Sequence, residues 1–140
     1  MSKVAVIQES PVFLNREETI NKAIAYIEQA ASAGAQLIVF PEAYISAYPA
    51  WIWRLRPGGD WGLSEELHAR LLENAVDIDA GNLQPLCDAA KDNTVTIVCG
   101  MNEIDGKLSK ATLYNTVVII DDKGNIINRH RKLMPTNPER

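Results

Sequence analysis

Short unbroken apolar runs alternate along this chain with stretches in which apolar positions recur every three or four residues. Strand-length runs alternating with helical periods predict an α/β domain. Val4-Ala5-Val6-Ile7 predicts a buried first strand, stopped by Ser10-Pro11. Asn15, with Glu18 three residues on, has the form of a capping box, with Asn replacing Ser or Thr. Ile20, Ala23, Ile24, Ile27, Ala30 and Ala31 then share one helical face, and Gly34 supplies the C-terminal cap. Leu37-Ile38-Val39-Phe40 follows at once and predicts a strand buried on both faces, joined to the first by a right-handed parallel crossover. Pro41 donates no ladder hydrogen bond and keeps Phe40 extended, so this strand ends there.

Glu42 stands at the exit of that strand, on the sheet edge where open α/β sheets bind ligands. It reads either as a general base or as a solvated loop acid. Tyr44, Tyr48, Trp51, Trp53 and Trp61 follow among Pro49, Pro57, Gly58 and Gly59, a composition that rules out one long helix. These aromatic residues read as a pocket lining or as core or interface. Ser64-Glu65-Glu66-Leu67 predicts the start of a helix reaching about Glu73, and Leu83 to Lys91 predicts another. Asp77 and Asp79 lack the run of oxygen ligands that a calcium loop needs. Val95–Cys99 predicts a third strand, and Leu113–Ile120 and Ile126–Arg131 predict an antiparallel hairpin around Asp121-Asp122-Lys123-Gly124-Asn125. Arg129-His130-Arg131-Lys132 puts basic side chains on both faces of the last strand, as in a solvated, aggregation-resistant edge.

Composition narrows the classes. A chain of 140 residues with 46% hydrophobic and 23% charged residues fits one soluble domain. A net charge of -4, with no aromatic residues interleaved in the basic run, argues against nucleic acid. No apolar stretch is long enough for a bilayer, and no signal-peptide pattern opens the chain, so a cytoplasmic setting is expected. Cys87 and Cys99 are too few for a disulfide framework or a zinc site, and both read as buried structural thiols.

Three stretches then stand together: Phe40-Pro41-Glu42, Gly100-Met101-Asn102-Glu103, and His130-Arg131-Lys132-Leu133-Met134-Pro135-Thr136 with Glu139-Arg140 beyond. Their order and spacing, with Leu113-Tyr114-Asn115-Thr116, resemble the nitrilase or carbon–nitrogen hydrolase superfamily from Val4 to Arg140. The resemblance implies the N-terminal half of a four-layer αββα sandwich, a mixed sheet with flanking helices, in which residues 1–140 are part of a single hydrolase domain. It implies a Glu–Lys–Cys triad with Glu42 as general base, Lys132 stabilising charge on the intermediate, and Glu139, seven positions later, as the second glutamate. The family's Cys-Trp-Glu-like nucleophile motif has no match, since Cys87-Asp88-Ala89 and Cys99-Gly100-Met101 both precede Lys132. The nucleophile is therefore expected outside this chain, and the chain alone is expected to be inactive. Tyr44-Ile45-Ser46-Ala47-Tyr48-Pro49-Ala50-Trp51 resembles the aromatic Tyr-Pro segment of the nitrilase branch, with Ser46-Ala47 in place of Pro-Gly. Tyr48 is thereby a candidate for substrate binding. The implied reaction converts a small-molecule nitrile to a carboxylic acid and ammonia, without cofactor or metal, in a homo-oligomer. An amidase or carbamoylase of the same superfamily, and a non-catalytic half-fold or assembly subunit, are the competing readings.

Overall fold

The computed structural model describes residues 2–136. Five strands form one mixed sheet in sequence order: β1 (Val4–Val6), β2 (Leu37–Val39), β3 (Thr96–Ile104), β4 (Leu113–Ile120) and β5 (Ile126–Arg131). Three α-helices accompany them: α1 (Arg16–Ser32), α2 (Trp61–Glu73) and α3 (Gln84–Asn93). β1, β2 and β3 are parallel, whereas β4 runs antiparallel to β3 and β5 antiparallel to β4. β5 therefore runs in the same direction as β2, and both reach the same edge of the sheet. The side chain of Asn15 accepts a hydrogen bond from the Glu18 amide at 3.0 Å, satisfying one of the orphan donors that open α1.

Strand register sorts side chains onto two faces. Ile97, Cys99, Met101 and Glu103 of β3 lie opposite Ile120, Val118, Thr116 and Tyr114 of β4 on one face. The apolar members of that face join Ile38, Ile20, Ala23 and Ile27 of α1, and Leu86 and Ala90 of α3 in the core. Each fully buried aliphatic side chain there contributes about 1.5–3 kcal/mol of transfer free energy. The second face carries Val4, Val6, Leu37, Val39, Val98, Val117 and Ile119.

The expectation of a buried first strand is corrected on that second face. Val4 is 51% and Val6 74% exposed, because no helix among the described residues covers β1 there. Leu37 and Val39 are likewise half-buried, so β2 is fully buried only through Ile38. β3 continues to Ile104, past the expected end at Cys99, because Gly100 sits inside a ladder that pairs with β4 along its whole length. α2 begins at Trp61, three residues before the expected start at Ser64. The Asp60 carboxylate caps nothing, being held by the Arg56 amide and guanidinium, each at 2.8 Å.

Candidate active site

Glu42 is placed by a tight crossing of two backbones. A Cβ at Gly100 would come 2.5 Å from the Pro41 carbonyl oxygen, 2.7 Å from the Ala43 amide nitrogen and 2.8 Å from the Glu42 Cα. Only glycine allows the segment leaving β2 to lie this close across β3. The segment then bends through three non-glycine residues with left-handed backbone, Ala43 (φ 48°), Ser46 (φ 78°) and Ala47 (φ 73°). Such conformations are costly and persist only where neighbours over-determine them. Here the Ile45 amide donates to the Gly100 carbonyl at 3.1 Å, the Ser46 hydroxyl donates to the Asn74 carbonyl, and the Asn102 side-chain amide donates to the Ala47 carbonyl at 2.8 Å. Ser46-Ala47 thus makes the turn ahead of Tyr48-Pro49 without the flexibility of glycine.

Lys132 reaches the same spot from the end of β5. Its ammonium donates to Glu42 Oε1 at 2.9 Å, although the residues lie ninety positions apart. Asn115, on β4, donates its side-chain amide to the same oxygen at 2.7 Å, while its carbonyl accepts from the Lys132 backbone amide at 2.8 Å. Asn115 thus ties the two charged residues together through both side chain and backbone. Beside them opens a cavity of about 550 Å³. Its apolar walls include Tyr48, Trp51, Ile52, Leu71, Leu113 and Tyr114, and its polar lining includes Lys132, Asn115, Asn102 and His68. The Tyr48 hydroxyl accepts from the Trp53 indole N–H at 3.3 Å. Trp53 and Trp61 are 53% and 69% exposed, so the core reading of these two is corrected, while Trp51 is half-buried. Both sit where short elements turn at the surface, in the 3₁₀ segment Ala50–Trp53 and at the first position of α2.

The basic run is likewise not a uniformly solvated edge. Strand alternation sends Arg129 and Arg131 to the helix-covered face, and His130 pairs with Val117 on the other. Both guanidinium groups clasp Glu103, which is fully buried, through Nε at 3.1 and 3.0 Å and through Nη2. The Thr116 hydroxyl donates to the same carboxylate at 2.8 Å. Burial pushes the Glu103 carboxyl up, but the hydrogen bonds from Arg129, Arg131 and Thr116 together outweigh it and hold the group below the usual glutamate range. A carboxyl depressed in the folded state adds stability above its unfolded pKa of about 4.3, and that stability is lost as pH falls through the folded value. The urea-denaturation gap between the wild type and Glu103→Gln is therefore largest near neutrality and closes on acidification below about pH 4.3. A gap that widens in acid would contradict this assignment.

The sequence matches the carbon–nitrogen hydrolase family over residues 3–140. The chain belongs to that family. It is 41% identical over 138 residues to an arylacetonitrilase of Aspergillus niger, covering 99% of this chain and 38% of that protein. It is 38% identical, again over 138 residues, to an aliphatic nitrilase of Rhodococcus rhodochrous, covering 99% of this chain and 36% of the relative. The chain thus spans little more than a third of the length of these curated relatives. Its fold is shared with an amidase from Nesterenkonia sp., at a TM-score of 0.64 and 16% identity over 99% of this chain and 45% of the other.

In this member of the carbon–nitrogen hydrolase family the two cysteines lie in the helix-covered layer, away from the Glu42–Lys132 pair. Cys99 is fully buried on the helix-covered face, and burial pushes its thiol up to about 12. Cys87 is buried within α3; burial raises its thiol too, assisted by the nearby Asp88 and Asp121 charges. Glu139 falls outside the described residues. Among the described residues no group of three or more His, Cys, Asp or Glu side chains could hold a metal ion. No helix among them is long and apolar enough to cross a membrane. Asn115, Gly100 and Glu103 were legible in the sequence only as members of family-like stretches, and no role followed for them. Period-two alternation along β4 and β5 was the available signal, since it separates Asn115, His130 and Lys132 from Thr116, Arg129 and Arg131.

Proposed function

We propose that the protein hydrolyses an organic nitrile to a carboxylic acid and ammonia, with Glu42 as general base and Lys132 as the electrophilic partner. The observation that carries this reading is the 2.9 Å contact between the Lys132 ammonium and the Glu42 carboxylate, at the border of a largely apolar cavity. The nucleophile is a cysteine outside these 140 residues, since Cys99 and Cys87 are buried and their raised thiols make poor thiolates. Glu42 takes the thiol proton, and the sulfur adds to the nitrile carbon. As the C≡N bond becomes C=N, Lys132 stabilises the charge growing on nitrogen. Water then adds to the thioimidate, ammonia leaves, and a second water releases the acid from the thioester. Tyr48 lines the pocket for the substrate's organic group, and Glu139 keeps Lys132 in register, as the family resemblance implies. A homo-oligomer belongs to the same reading, with the exposed Trp53 and Trp61 available for contacts between copies.

The test compares nitriles with their amides. The full-length gene product is incubated with phenylacetonitrile, a short aliphatic nitrile and the matching amides, and ammonia and acid are quantified. The reading expects nitrile converted to acid and ammonia in equal amounts. Turnover of amides alone would establish an amidase instead, and turnover of neither class would favour a non-catalytic assembly role.

A further inference from the structure

We infer that Glu103 is a positioning residue for this site: from the covered face of the sheet it sets the register of β5 and so delivers Lys132 to Glu42 on the other face. The inference rests on reading Glu42 and Lys132 as the reacting pair.

β5 needs such a device. It is a six-residue edge strand whose pairing with β4 is irregular between Ile119 and Ile120. Its two apolar residues, Ile126 and Ile127, are exposed, so burial does little to choose one register over another. A slip of one residue would bring His130 and Lys132 to the helix-covered face and carry Lys132 away from Glu42. Glu103 opposes that slip because it lies fully buried on one face only, and its carboxylate accepts from the Nε and Nη2 atoms of both Arg129 and Arg131. A slipped strand would strand this buried carboxylate without its two guanidinium partners, an expensive exchange in a low-dielectric setting.

The arginines are held from other sides as well. The Arg131 guanidinium lies 3.7 Å over the centroid of the Tyr114 ring, and Tyr114 also lines the cavity. Arg129 has Asp79 as a second carboxylate, at 3.6 Å. The residue next to Lys132 is thus fixed to the core by a hydrogen-bonded ion pair and to the cavity wall by its cation–π contact.

Carbodiimide cross-linking of the purified protein reads this geometry without any need for turnover, because it joins a carboxylate to an amine in direct contact. Mass spectrometry then counts the Glu42–Lys132 product as a fraction of the uncross-linked peptide that carries Lys132. Glu103→Gln is expected to lower that fraction about tenfold, because the register is no longer enforced. Thr116→Val removes one hydrogen bond to Glu103 but keeps both arginines, so it should weaken the fold and leave the yield unchanged. Glu103→Asp, which keeps the charge, should restore part of the yield lost in Glu103→Gln. If Glu103→Gln does not fold, Arg131→Lys keeps the charge, loses the fork and should still lower the yield several-fold. An unchanged yield in Glu103→Gln, or in Arg131→Lys where that variant is used, would overturn the inference. So would an equal drop in Thr116→Val, which would mark general loosening. A wild-type protein that forms no Glu42–Lys132 product would overturn the site geometry itself, and the inference with it.

Discussion

On the proposed function, Lys132→Met in the full-length gene product is expected to lower kcat for nitrile hydrolysis by about a thousandfold, and Glu42→Gln by at least as much. Methionine keeps most of the lysine stem and removes only the ammonium, which sits 2.9 Å from Glu42 Oε1. Glutamine keeps the shape of Glu42 and its capacity to accept from Asn115, but it takes up no proton. In the proposed mechanism both changes strike charge that develops in the transition state, so kcat is expected to fall while KM changes little. In the proposed function the organic group binds against apolar walls such as Trp51, Ile52 and Leu113, which line the cavity and which neither substitution touches. A rise in KM at constant kcat would assign Lys132 to ground-state binding instead.

The largest expected loss of stability comes from one added methyl group. Gly100→Ala costs about 3 kcal/mol in urea denaturation, because the new Cβ would meet the Pro41 oxygen, the Ala43 nitrogen and the Glu42 Cα at 2.5–2.8 Å. All three are backbone atoms, and the segment carrying them is already held by hydrogen bonds to Gly100 and Asn102. The strain is relieved only by lifting the segment that carries Glu42. The same variant should therefore lose Glu42–Lys132 contact as well as stability. A cost below about 0.5 kcal/mol, the range of an ordinary surface change, would show that the crossing is looser than described.

The elements that could be placed from the sequence are those whose local signals agree. β4 and β5 run between the expected ends, since Asp121-Asp122-Lys123-Gly124-Asn125 gives an unmistakable turn: Asp121 accepts from the Lys123 and Asn125 amides, and Gly124 adopts φ +82°. α1 was legible for the same reason, its Asn15 cap and its apolar stripe pointing to one helix. β3 was cut short because Gly100 reads locally as a breaker, whereas the distant crossing of residues 41–43 is what requires it. The basic run misled because the partner of its arginines, Glu103, lies 26 and 28 residues away and sits at the interior end of another strand. Alternation separates Arg129 and Arg131 from Lys132, but only the register with β4 shows which set turns inward to Glu103 and which meets Glu42. Glu42 is a candidate from its place at the strand exit and, with Lys132, from the family resemblance, whereas their shared partner Asn115 is apparent only from the pairing of β4 with β5.

The central claim is that Glu42 and Lys132 act as one unit on one substrate, and a double-variant cycle measures it most directly. Nitrile-hydrolysis kcat is determined for Glu42→Gln, for Lys132→Met and for the double variant of the full-length gene product. Groups that serve the same step are grossly non-additive, so the double variant should be no more than about tenfold slower than the worse single variant. Losses that multiply, carrying the double variant a further thousandfold or so below either single one, would mean that the two residues act independently and would contradict the site as described.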